Sequence, residues 1–196
     1  MNRGSEGAGA TGERARLFVA LELPPEALTA VEEWRSAQLA GVDGLRLVES
    51  DALHVTLCFL GSQPVEQIDS IGRACMETVA GSAPPALTLG NPVWLPRRRP
   101  RVVAIGVEDR ERTLAEIQSR LAAVLVQGGW YEPEQRGFRA HVTVARAARS
   151  AQLRPSPKMP APEPVRFIGS EVALMRSRTA AGGARYERLA SVALGG

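Results

Sequence analysis

A chain of 196 residues with 44% hydrophobic and 23% charged side chains has the balance of a soluble globular protein, with length for one sizeable core or two small lobes. No apolar run approaches the roughly 20 residues of a membrane span, and no apolar signal core follows the early arginine, so the expectation is no membrane association and a cytoplasmic location. The formal net charge of +3 leans towards an anionic partner, although Lys158 is the single lysine among 24 basic residues and an arginine-biased composition alone produces the same figure.

Residues 1–15, rich in Gly, Ala, Ser and Glu without an apolar period, read as a disordered leader that contributes nothing to catalysis. From Arg16, Leu17, Val19, Leu21 and Leu23 alternate with Phe18, Ala20 and Glu22, which predicts a strand. Pro24-Pro25 then opens a helix to about Ala40. Residues 45–48 read as a short strand and residues 53–60 as a strand ending at Gly61. After Pro64, the set Val65, Ile68, Ile71, Cys75, Met76 and Val79 recurs at helical spacing until Gly81 stops it.

The second half repeats this outline. Residues 86–95 and 101–107 read as strands joined by the basic loop Pro96-Arg97-Arg98-Arg99-Pro100, and residues 110–127 as a helix carrying Leu114, Ile117, Leu121, Val124 and Leu125. A strand over 139–145, a proline-rich loop over 155–164 and two closing strands near 165–175 and 185–193 complete the chain. Antiparallel-looking strands with intervening helices predict an α+β fold, not a doubly wound parallel sheet. Cys58 and Cys75 lie in apolar segments without metal-ligand spacing and read as buried free thiols.

The two histidines of the chain occur in matching tetrapeptides, His54-Val55-Thr56-Leu57 and His141-Val142-Thr143-Val144, 87 positions apart. In a strand, side chains two apart share a face, so each motif offers one imidazole beside one hydroxyl. The spacing, near half the ordered chain, points to an internal duplication of architecture, though little sequence identity links the halves outside the motifs.

Two such strands across a cleft suit phosphate ester chemistry. An imidazole has an ordinary pKa of about 6.5, so one neutral ring can accept a proton from an attacking hydroxyl while a second, protonated ring donates to the departing alkoxide. Threonine hydroxyls can donate to the non-bridging phosphate oxygens, and Arg146 can add a charge-assisted contact to the same phosphate. Strict alternation, however, places Arg146 on the face opposite His141 unless the strand ends or bulges near Ala145, and gives Arg139 the better parity. Taken singly, a His-x-Thr in a strand reads as a structural histidine beside a good strand residue; the duplication is what turns the reading to function. Zinc is a poor competitor because no His-Glu-x-x-His, Cys-x-x-Cys or compact acidic cluster supplies ligands, so neither metal nor cofactor is expected. The arginines of residues 97–101 read either as a grip on a nucleic-acid backbone or as a solvated hairpin tip. Phe18, Phe59, Trp130, Tyr131, Phe138 and Tyr186 are candidates to pack one base or, for most of them, core residues.

Paired His-x-Thr-aliphatic motifs in a chain of this size resemble the two-histidine phosphoesterase superfamily, and more narrowly the bacterial RNA 2′,3′-cyclic phosphodiesterases, also called 2′-5′ RNA ligases. The likeness runs through Arg16-Leu17-Phe18-Val19-Ala20-Leu21-Glu22-Leu23-Pro24, residues 53–61 and His141-Val142-Thr143-Val144-Ala145-Arg146, and covers about residues 16–193. It implies a single bilobal domain over 16–193, with two pseudo-symmetric antiparallel-rich sheets, outer helices, a central cleft and lobes that exchange terminal strands. It also implies a metal-free opening of 2′,3′-cyclic phosphate ends of RNA to 2′-phosphate, with reverse 2′-5′ ligation; a monomer is expected. His54 is then the proton donor and His141 the acceptor, with Thr56 and Thr143 holding phosphate. Two departures stand out: Ala140 replaces a proline often found before the second histidine, and Leu174-Met175-Arg176-Ser177 lacks an acidic residue often seen there. The alternatives are a phosphodiesterase for small cyclic nucleotides and a non-catalytic RNA-binding module.

Overall fold

The computed structural model describes residues 12–96, 98–134, 136–148, 151, 159–180 and 183–196. Residues 1–11 of the expected leader, Arg97 and residues 155–158 of the proline-rich loop lie outside the described residues. In chain order the elements are β1 (Arg14–Glu22), α1 (Pro25–Leu39), β2 (Leu45–Leu47), β3 (His54–Pro64), α2 (Ile68–Val79), β4 (Ala86–Leu95), β5 (Val102–Glu108), α3 (Thr113–Gln127), β6 (His141–Ala147), β7 (Arg166–Ile168), β8 (Glu171–Ala180) and β9 (Gly183–Ala193).

The strands form one antiparallel sheet in the order β7-β4-β5-β6-β3-β1-β8-β9, with the short β2 pairing β6. This order is nearly palindromic about the β6–β3 seam. On one side, the unit β1-α1-β3 has β1 and β3 paired; on the other, the unit β5-α3-β6 has β5 and β6 paired. The C-terminal hairpin β8–β9 lies beside β1 and so joins the half that holds the first strand, while β4 from the middle of the chain flanks β5. The antiparallel α+β fold is as expected, but the two sheets implied by the resemblance are one: the two halves meet edge to edge in a continuous sheet. Val55↔Val142 is the one paired position between β3 and β6.

One face of this sheet is apolar because the alternation in the strands demands it. Leu17, Val19 and Leu21 of β1, Val55 and Leu57 of β3, and Val142 and Val144 of β6 join one buried cluster with the inward faces of the helices. α1 contributes Ala27, Val31 and Trp34, α2 contributes Ile71, Cys75 and Val79, and α3 contributes Leu114, Ile117, Leu121 and Leu125 at spacings of three and four. Burying each large aliphatic side chain stabilises the fold by about 1.5–3 kcal/mol, so this layer fixes the sheet from behind. The opposite face carries the polar side chains of the two histidine motifs together with the buried Phe18 and Ala20 of β1.

Several boundaries differ from those read in the sequence. β1 begins at Arg14, whose guanidinium donates to the hydroxyl and carbonyl of Ser62 (3.1 and 2.6 Å) and ties the strand start to β3. β3 continues past Gly61, which takes φ 68° within the strand, to Pro64. α3 begins at Thr113, three residues after the expected start, because Arg112 is left-handed (φ 63°). β6 begins at His141, which leaves Arg139 outside the strand. The strand expected over 165–175 is two strands, β7 and β8, broken at Gly169-Ser170. A Cβ at Gly169 would stand 2.8 Å from the Leu21 side chain, which would have to shift to admit a larger residue there.

Candidate active site

The pairing Val55↔Val142 determines what faces the cleft. Both valines are fully buried, so their neighbours point the other way: His54 stands across from Thr143, and Thr56 across from His141. Diagonal positions of this kind are about 7–8 Å apart, a gap that a tetrahedral phosphate can bridge. All four side chains are partly buried on one face of the seam.

Each ring is oriented in the same way. His54 Nδ1 donates to the carbonyl of Ala52 (2.8 Å) and His141 Nδ1 donates to the carbonyl of Arg139 (2.8 Å), each two residues earlier in the chain. With Nδ1 committed to a backbone acceptor, Nε2 is the nitrogen left for proton transfer in both rings. The Thr56 hydroxyl donates to His54 Nε2 (2.9 Å). Behind His54, Phe18 stacks at 4.8 Å between ring centroids and Tyr186 of β9 packs edge-on at 5.3 Å, with Tyr186 also edge-on to Phe18. This burial lowers the pKa of His54 to about 4; the hydrogen bond to Ala52 opposes the shift, and the positive charges of Arg146 and His141 reinforce it.

Arg146 shares the cleft with the histidines because β6 bulges. The register against β5 passes from Thr143↔Ala104 to Ala145↔Val103, so Val144 is an extra residue, and both Val144 and Ala145 are buried. The bulge resets the alternation and places exposed Arg146 on the face of His141 and Thr143, which strict alternation denied it. β3 carries the same irregularity: its register against β1 passes from Thr56↔Ala20 to Cys58↔Val19, with Leu57 as the extra residue. The burial sequences of residues 54–59 and 141–146 are identical, which makes Phe59 the counterpart of Arg146. Phe59 is 43% exposed, and the Arg16 guanidinium lies over its ring at 4.8 Å.

The remaining candidates divide. Arg139 offers its carbonyl to His141, and its own side chain is exposed just outside the strand. In the basic loop, Arg101 donates to the carbonyls of Ala148 and Ala151 and so braces the loop, whereas Arg98 and Arg99 are exposed. Phe18 is buried beneath Tyr186, and Trp130, Tyr131 and Phe138 pack against the core. Cys58 and Cys75 are buried free thiols whose pKa values burial pushes up to about 12, which leaves them without nucleophilic character at neutral pH. Sequence reasoning gave no place to Arg46 of β2, the residue directly across from Arg146.

Similarity to known proteins agrees with this geometry. The RNA 2′,3′-cyclic phosphodiesterase of Escherichia coli (strain K12) is 32% identical over 149 residues, which span 74% of this chain and 79% of that protein. The crystal structure of E. coli LigT complexed with 3′-AMP matches with a TM-score of 0.77 at 28% identity, over 93% of this chain and 99% of that one. The crystal structure of TT0787 of Thermus thermophilus matches with a TM-score of 0.78 at 25% identity, over 92% and 98% of the two chains. The model of the 2′-5′ RNA ligase superfamily matches residues 23–181, a span that holds both histidine motifs and the seam between them, and the chain belongs to that family.

Proposed function

We propose that this protein hydrolyses the 2′,3′-cyclic phosphate at the end of an RNA to a 2′-phosphate, with His54 and His141 as the proton-transfer pair. The observation that carries the reading is the Val55↔Val142 pairing, which sets two imidazoles and two hydroxyls diagonally around one point of the sheet face. His141 Nε2 takes a proton from water as its oxygen attacks phosphorus; the P–O3′ bond breaks, and His54 Nε2 gives its proton to the departing O3′. Thr56 and Thr143 donate hydrogen bonds to the non-bridging oxygens, and Arg146 offsets their charge. His54 needs that proton before the step. An anionic phosphodiester bound beside it opposes the effect of Arg146 and His141 and draws the proton on.

The same steps run with an RNA 5′-hydroxyl in place of water, which forms a P–O5′ bond and leaves a 2′-5′ linkage. No step requires a metal, and among the described residues no group of three or more His, Cys, Asp or Glu side chains is placed to share an ion. We further infer that it acts as a monomer in the cytoplasm, a compartment that the buried free thiols suit. No helix among the described residues is long and apolar enough to cross a membrane.

The test is a cyclic-ended oligonucleotide incubated in excess EDTA. The expected outcome is full turnover to a 2′-phosphate end. Turnover abolished by EDTA and restored by a divalent ion, or a 3′-phosphate product, which reports cleavage of P–O2′, would remove this mechanism.

A further inference from the structure

Beyond His54, along the cleft and away from His141, two arginines oppose each other. Arg46 of β2 and Arg146 of β6 are direct partners in the antiparallel pairing, so their side chains share one face, the face the β6 bulge gives to His141 and Thr143. Like charges at directly opposed positions repel. Neither guanidinium forms an ion pair among the described residues, and both are exposed. They line one pocket together with Tyr186, which packs on His54, and Ala52, whose carbonyl holds the His54 ring. Glu49 is the single acid in that lining and reaches neither arginine within ion-pair distance. An anion between the two guanidinium groups would relieve their repulsion with charge-assisted hydrogen bonds.

The reaction geometry says which anion. In-line attack places water and the departing O3′ on opposite sides of phosphorus, so a ribose whose O3′ faces His54 extends away from His141. The substituent on O5′ of that ribose then points towards the pocket. We propose that Arg46, together with Arg146, binds the phosphate on O5′ of the terminal nucleoside, one backbone step from the cyclic phosphate, and so selects an RNA end over a nucleoside cyclic phosphate with a free 5′-hydroxyl. This inference rests on the phosphodiesterase reading above and adds Arg46 to it as a specificity residue.

Three substrates test it: adenosine 2′,3′-cyclic phosphate, its 5′-phosphorylated form, and the ApA dinucleotide with a 2′,3′-cyclic end. The wild-type protein is expected to favour the two that carry an O5′ phosphate. Arg46→Gln is expected to reduce that preference in kcat/KM about tenfold, mainly through KM, in line with the loss of a charged hydrogen bond. Arg46→Lys restores part of it. For the dinucleotide, the slope of log KM against log salt is expected to fall by about 0.7 when Arg46 is removed, the value for one phosphate contact to a single strand. A loss confined to the dinucleotide assigns the pocket to an internal phosphodiester, and a loss with both assigns it to any O5′ phosphate; either supports the inference. If the wild type turns over all three and Arg46→Gln leaves the preference and the salt slope unchanged, the arginine pair is not a phosphate site and the phosphodiesterase reading stands. If the wild type opens none of them, both fall.

Discussion

His141→Ala is expected to lower kcat/KM on a cyclic-ended RNA by about 10²- to 10⁴-fold while the protein stays folded. The imidazole lies on the cleft face of β6, and the buried Val142 and Val144 on the other face keep the strand in place without it. What the substitution removes is the Nε2 left available by the Nδ1 bond to Arg139. His54→Ala is expected to cost a similar factor, with an added structural effect, because the ring also packs on Phe18 and Tyr186. Aromatic pairs of this kind contribute about 0.5–1.5 kcal/mol each beyond area burial, so unfolding temperature should fall for His54→Ala and stay near wild type for His141→Ala. Steady-state kinetics with a thermal melt checks both. Either variant retaining full turnover would show that its imidazole carries no proton in the rate-limiting step.

His54 should also make folding stability depend on pH. Its pKa is about 4 in the folded protein and about 6.5 when unfolded, so the unfolded chain binds a proton over a range where the native state does not. A group with a depressed folded pKa stabilises the native state above its unfolded pKa. That contribution is lost as pH falls from about 6.5 to about 4, and below that it is gone. Integrated over this window the loss is up to about 3 kcal/mol. Denaturant unfolding of wild type and His54→Phe, which keeps a ring against Phe18 and Tyr186, isolates the effect. The stability difference between the two is expected to shift in favour of the variant as pH drops through this window. A difference that stays constant from pH 7 to pH 4 would mean that His54 titrates normally in the folded state.

The motifs were legible in the sequence because their information is local. An imidazole and a hydroxyl two residues apart share a face in any strand, and the buried Val55, Leu57, Val142 and Val144 needed no tertiary knowledge. The Val55↔Val142 seam was not readable, since it depends on pairing between strands 87 positions apart. Arg146 lies between these cases. Strict alternation turned it away from the cleft, yet both motifs place two successive apolar residues after the threonine, Leu57-Cys58 and Val144-Ala145, and a doubled apolar step in a period-two pattern is the mark of a bulge. Gly169 likewise lies in the break of a run read as one strand, where a larger residue would meet the Leu21 side chain. Arg46 carried no signal, because its significance comes from being paired with Arg146 and exists only once β2 replaces β3 along the edge of β6.

A crystal structure with a nucleoside 2′,3′-cyclic vanadate shows whether both imidazoles act on one phosphorus. The expected result is a single vanadium centre with Nε2 of His54 and Nε2 of His141 within hydrogen-bond reach of opposite apical oxygens, and the hydroxyls of Thr56 and Thr143 on the equatorial ones. A vanadate that touches one histidine while the other ring stands out of reach would contradict it.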